Sequence, residues 1–200
     1  MDFRDISTDT HPTYRLAENE QAVFFLLNRS GEVTFELAGV HAKAYVYALF
    51  VGEQSTTQTL HLRQHHTALR THSFALVKSV LMDASAFDYK GTIRLERSAD
   101  KSEAVQENRN LIVGEGASAF SNPALEILAK DVICRHASTT SAPNADQLFY
   151  LMTRGLDQTT AERLIAEGFL TEVGERMKKL GVQEDDVART LEKTLALFAR

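Results

Sequence analysis

What most constrains this chain is a change of hydrophobic period near Asn144. Between Val23 and Ser141 apolar residues alternate with polar ones in short runs, whereas after Asp146 they recur at helical spacing. A β-rich body followed by a helical end is the consequence.

In the β-rich part, Val23–Leu27 and the alternating Val33, Phe35 and Leu37 read as two strands, with Ser30-Gly31 as the turn between them. Ala44–Val51 is apolar at both parities, which predicts a strand covered on both faces. The series continues through Thr59–Arg63, Ser73–Leu81, Ala86–Tyr89, Thr92–Glu96, Leu111–Val113 and Ala119–Phe120. It ends with Leu125 and Ile127 on one strand and Val132, Cys134 and His136 on the next. About ten short strands with no helix among them leave a sandwich, a barrel or a β-helix, and no clean internal repeat chooses between them. Met1 to about Glu20 is polar, with His11-Pro12 disfavouring helix at its centre, and reads as a leader of low order.

In the helical end, Asn144 and Gln147 form a capping box, Leu148, Leu151 and Met152 share a face, and Gly155 falls where a C-terminal cap belongs. A second helix starts at Asp157 and lines up Ala161, Leu164, Ile165 and Phe169. A third carries Val173, Met177 and Leu180 and stops at Gly181. A fourth opens on Glu184, Asp185 and Asp186, favourable at the positive end of a helix, and repeats Val187, Leu191, Leu195 and Phe198. Four short helices are too few for a core of their own, so they are expected to pack on the β part or on a partner.

Composition sets the class. With 44% hydrophobic and 24% charged residues in 200, the chain reads as an ordinary globular protein. Its 22 basic and 27 acidic residues give a net charge of −5 with no basic stripe, which argues against nucleic acid as a partner. Ala44–Val51, the longest nearly pure apolar run, is far short of the roughly 18 residues that span a bilayer. Met1–Tyr14 carries aspartates where a signal peptide would be apolar, so no membrane association and a cytoplasmic location are expected. A single cysteine forbids an internal disulfide and fits a reducing compartment.

That cysteine carries the chemistry. Strand alternation places Cys134 and His136 on one face, and a soft sulfur beside an imidazole nitrogen suits zinc, copper or iron. Iron–sulfur clusters and structural zinc sites take about four protein ligands, so one pair requires the remainder from another chain. The alternatives are a buried small hydrophobe beside a strand-end histidine, or a nucleophile with its base. Neighbours two apart on a strand lie about 7 Å apart, too far for a direct hydrogen bond unless the side chains lean together. No G-x-S-x-G, Walker A or dinucleotide fingerprint is present, so ATP-driven work requires a partner ATPase. His61, His65, His66 and His72 cluster in sequence and read as solvated loop histidines rather than as a metal site.

The residues around Cys134 carry a resemblance. N-P-A-L-E-I-L-A-K-D-V-I-C-R-H at Asn122–His136, then D-Q-L-F-Y-L-M-T-R-G-L from Asp146, resembles the SufB/SufD family of iron–sulfur cluster assembly scaffolds, as does K-S-E-A-V-Q-E-N-R-N-L-I-V-G at Lys101–Gly114. The likeness covers roughly the second half of the chain. Cys134-x-His136 is similar to the SufD version. Thr139–Ser141 and Asp146–Leu151 are more similar to SufB, whose pattern has a glutamate where this chain has Ala137.

The resemblance implies a mainly β chain with α: a right-handed parallel β-helix core at residues 21–143, after a leader at 1–20, and a helical domain at 144–200 that docks a SufC-like ABC ATPase. The residues matching the docking motif are Phe149, Tyr150, Arg154 and Gly155, and His65 or His66 with Ser73 matches a structural feature of the β-helix. It also implies a non-enzymatic scaffold paired with itself or with a SufB/SufD-like paralogue. In that scaffold Cys134 and His136 hold iron or an iron–sulfur cluster transiently, shared between subunits. The chain is short for this family, which usually has an N-terminal helical region and a longer β-helix. Two rivals remain: a β-helical enzyme using Cys134 and His136, and a metal-free adaptor of the ATPase.

Overall fold

Alternation of apolar and polar residues, interrupted every ten residues or so by a polar corner, winds this chain into a solenoid. A computed structural model describes residues 1–198. Eleven strands alternate between two sheets: β1 (Asp2–Asp5), β3 (Gln21–Leu27), β5 (Lys43–Gly52), β7 (His72–Leu81), β9 (Glu103–Ile112) and β11 (Ile133–Ser141) form one. The other holds β2 (Thr13–Leu16), β4 (Gly31–Leu37), β6 (Thr57–His66), β8 (Ala86–Leu95) and β10 (Ser118–Ile127). Every pairing is parallel, as a β-helix requires. The inward residues Phe24, Leu26, Phe35, Val46, Phe50, Leu62, Val77 and Phe87 fill the space between the sheets.

The corners repeat in backbone geometry rather than in residue type. Asn19, His41, Arg70 and Lys101 adopt left-handed φ values of 59°, 62°, 56° and 60°, each two residues before a strand of the first sheet. Asn28, Gln54 and Asp83 do the same three residues before strands of the second.

The two ends of the solenoid differ. At the first, Arg4 stacks over Phe24 and pairs with Asp2 and Glu20, each at 2.7 Å. Beside it Arg29 lies over Tyr14 and donates to the carbonyls of Ile6 and His11. At the last, β10 and β11 leave Leu125, Ile127 and Ile133 exposed.

β5 is buried on both faces as expected, because the helices lie on the outer face of the six-stranded sheet. Helix α2 (Gln158–Lys179) sets Ala166, Leu170, Val173 and Met177 against Tyr47, Leu49, Leu76 and Val80, and α3 (Glu184–Leu195) adds Val187. Lys78 points out of β7 beneath α2, fully buried. Its ammonium donates to Glu172 Oε2 at 2.5 Å and lies 4.2 Å from the Phe169 ring centre.

Several expectations are corrected. Met1–Glu20 contains β1 and β2, which join the sheets as first rungs. Ala86–Tyr89 and Thr92–Glu96 are one strand that runs through Gly91, and Leu111–Val113 marks the end of the longer β9. The second and third helices are a single α2, because packing on the sheet carries the helix through Gly168 and Gly174. A 3-10 turn, Ala196–Phe198, follows α3; Ala199 and Arg200 of the expected helical end lie outside the described residues. His61, His65 and His66 lie on β6, and His72 opens β7, so they are not loop residues.

Candidate functional site

Strand register assigns Cys134 and His136 to the lumen. Cys134 pairs with Ala104 and His136 with Gln106, and both partners are buried inward residues of β9. Further along β11, Asn110 Nδ2 donates to Thr140 Oγ1 at 3.1 Å, and Ser138 Oγ lies 2.9 Å from Ser121 Oγ on β10. The expected shared face is therefore the inner face of the terminal strand. Because nothing stacks on β11 among the described residues, His136 is exposed there.

Cys134 is half-buried against Ile93, Leu95, Ala99 and Ala104. Burial pushes its thiol up to about 11, so at neutral pH it carries its proton. Such a thiol is a poor nucleophile, since reactivity follows the thiolate. A metal ion overturns this balance, because coordination deprotonates a thiol outright. Sulfur and imidazole suit iron, zinc or copper, but among the described residues no three His, Cys, Asp or Glu side chains converge as a metal site.

The motif residues near Asn144 form a separate place. Helix α1 (Ala145–Thr153) starts on Asn144, whose side chain accepts from the Gln147 amide at 3.0 Å. It ends in a Schellman turn: Gly155 at φ +92° donates to Met152 and Leu156 donates to Leu151. No residue of α1 is buried; Phe149 is 70% and Tyr150 55% exposed, and Arg154 stacks over the Tyr150 ring at 5.1 Å. Between α1, α2 and the end of β11 runs a groove of about 730 Å³ with Leu151, Leu164, Ile165 and Phe169 in its wall. From Cys134 to Ser141 the extended strand covers about 23 Å, so the thiol and this groove are distinct sites.

Sequence reasoning missed a buried polar chain below Cys134 and His136. Gln106 Nε2 donates to Gln64 Oε1 at 2.9 Å, and Gln64 Nε2 donates to Ser73 Oγ at 2.7 Å. Ser73 Oγ in turn lies 2.7 Å from His66 Nε2, and His66 Nδ1 is 2.7 Å from Thr71 Oγ1. Of the two histidines matched with Ser73 by the resemblance, it is His66 that touches it. The signal for the rest was the alternation of Gln106, Asn108 and Asn110, a strand face written in amides.

Fold and site together define a class: a parallel β-solenoid subunit with a helical end, whose cysteine and neighbouring histidine face the opening of the last turn. The profile of the SUF system FeS cluster assembly, SufBD core domain, matches residues 27–169, and the chain belongs to that family. It is 32% identical over 118 residues to the iron–sulfur cluster assembly protein SufD of Escherichia coli K12, covering 59% of this chain and 28% of that one. It is 31% identical over 157 residues to SufD of Bacillus subtilis 168, covering 78% and 36%. With the chloroplastic protein ABCI7 of Arabidopsis thaliana it shares 33% over 122 residues, covering 61% and 24%. The chain thus spans about a quarter to a third of the length of these relatives.

Proposed function

We propose that this chain is a non-enzymatic scaffold subunit of iron–sulfur cluster assembly, with iron or a nascent cluster as cargo at the open end of its solenoid. The observation that carries the reading is the placement of Cys134 and His136 on the inner face of the terminal edge strand, in a chain of the SufBD family. Two ligands fall short of the usual four or so, so the others come from a second copy or a SufB/SufD-like paralogue seated on this end. The apolar Leu125, Ile127 and Ile133 left exposed there support such pairing. A SufC-like ABC ATPase docks on α1 through Phe149 and Tyr150, with Arg154 and Gly155 setting the end of the helix. No described helix is long and apolar enough to cross a membrane; the cytoplasm is the working place in this reading, and the net charge of −5 argues against nucleic acid as a partner.

A second reading, a metal-free adaptor of the ATPase, is favoured by the protonated, half-buried thiol. Anaerobic reconstitution with iron and sulfide, on the chain and on its complex, separates the two. Cys134→Ser and His136→Ala are expected to abolish the cluster absorption while leaving folding and ATPase binding intact. A cluster retained by both variants refutes the scaffold site, and a full cluster on the monomer refutes the shared one.

A further inference from the structure

Gln106 is the residue directly beneath His136 in the register of the two last strands of its sheet, on the same inner face and about 4.8 Å away along the solenoid axis. Its carboxamide has one possible orientation. Gln64 Nε2 donates to the Val105 carbonyl at 3.1 Å, an acceptor only, which fixes Gln64 Oε1 as the acceptor facing Gln106. Gln106 therefore presents Nε2 to Gln64, and its Oε1 is left over.

That oxygen is fully buried and has no hydrogen-bond partner, and the same holds for the Tyr89 hydroxyl. The two meet above Gly91, where a Cβ would stand 2.0 Å from Gln106 Oε1 and 2.5 Å from the Tyr89 oxygen. Leaving a buried acceptor unpaired costs roughly 1–3 kcal/mol, so such an atom marks a missing donor. A carbonyl oxygen has two lone pairs. Tyr89, whose hydroxyl is equally unpartnered, can fill one, which leaves one for a further donor, and the residue next above Gln106 in register is His136.

We propose that Gln106 is the positioning residue of His136: when metal is bound, Gln106 Oε1 accepts the imidazole N–H and leaves the other ring nitrogen free as ligand. The inference rests on the reading of Cys134 and His136 as ligands. Metal-bound histidines almost always donate their second N–H to such an acceptor, which fixes tautomer and ring plane. The chain Gln106–Gln64–Ser73–His66–Thr71 then has a purpose besides filling the lumen. It locks the amide so that an acceptor, rather than a donor, faces the imidazole.

The test uses the full chain loaded with zinc ion, diamagnetic and of suitable ligand preference, and reads the ring N–H of His136 by 15N NMR together with the zinc affinity. The wild type is expected to show a protected N–H. Gln106→Met loses that signal and binds zinc about ten-fold more weakly. Gln106→Glu, which keeps an acceptor, retains both, and Tyr89→Phe leaves the His136 signal in place. If Gln106→Met fails to fold, the Glu variant decides: a retained N–H supports the proposal and its loss overturns it. A Met variant with unchanged signal and affinity also overturns it, as does a Tyr89→Phe variant that loses as much as Gln106→Met. Zinc affinity unchanged in both Cys134→Ser and His136→Ala refutes instead the ligand reading on which the proposal stands.

Discussion

Acid should weaken this fold through His66 well before the carboxylates titrate. The imidazole is completely buried between Thr71 and Ser73, and desolvation, aided by the nearby His72 and His65, pushes its pKa down from 6.5 to about 3. Between those two values the unfolded chain takes up a proton that the folded chain refuses, so stability is complete above pH 6.5 and falls as pH drops, until about pH 3. At pH 5 the loss is about 2 kcal/mol, from roughly 1.4 kcal/mol per pKa unit over the window crossed. Carboxylates such as Asp5 and Glu172, whose pKa values lie below their ordinary range, act at lower pH. His72, also depressed by burial, contributes in the same direction but is common to both proteins in the comparison. Urea unfolding from pH 7.5 to pH 5 on the wild type and on His66→Gln isolates the term. The wild type is expected to lose about 2 kcal/mol more than the variant across that range. Parallel pH dependences would refute the assignment of a buried neutral imidazole.

Glu172→Gln should destabilise by about 2 kcal/mol, discounted because Glu172 is partly exposed, since it leaves the Lys78 ammonium buried without its counter-charge. Lys78→Met, which removes the buried charge itself, should stay within about 1 kcal/mol of wild type in thermal unfolding. Gly91→Ala forces a methyl onto Gln106 Oε1 and should cost about 1–3 kcal/mol, less in a Gln106→Ala background, as a double-mutant cycle in urea would show. Phe149→Ala with Tyr150→Ala should change stability by less than about 0.5 kcal/mol, both being exposed, yet abolish co-purification of the ATPase proposed to dock there.

The sequence showed most where inside meant apolar. Ala44–Val51 announced β5 because both of its faces are covered, and Asn144, Asp157, Gly155 and Gly181 marked helix ends that the structure places there. It was mute where inside is polar. Gln106, Asn108 and Asn110 face the lumen, so β9 lacks apolar alternation over most of its length. β1 was hidden by charge, since Asp2 and Arg4 occupy its inward positions opposite Ala22 and Phe24. The repeat escaped notice for a different reason. Register partners Gln21, Lys43, His72, Glu103 and Ile133 are 22, 29, 31 and 30 residues apart, and the left-handed corners are Asn, His, Arg and Lys in turn. The periodicity lives in φ, not in the alphabet. For the site, the shared face of Cys134 and His136 was readable from their spacing, whereas the raised thiol pKa and the amide floor depend on β8, β9 and the corner at Ala99, which only folding brings together.

The charged residues on the first rungs limit what the solenoid can grow into. A second molecule that set its open end on β1 and β2 would press Leu125 or Ile127 onto the ion-paired Arg4, Asp2 and Glu20 and strip that cluster of its water without offering new hydrogen bonds in exchange. Head-to-tail stacking onto these rungs therefore carries a desolvation cost. Arg4, with Asp2 and Glu20 around it, makes this edge of the solenoid a costly one for an apolar strand to cover.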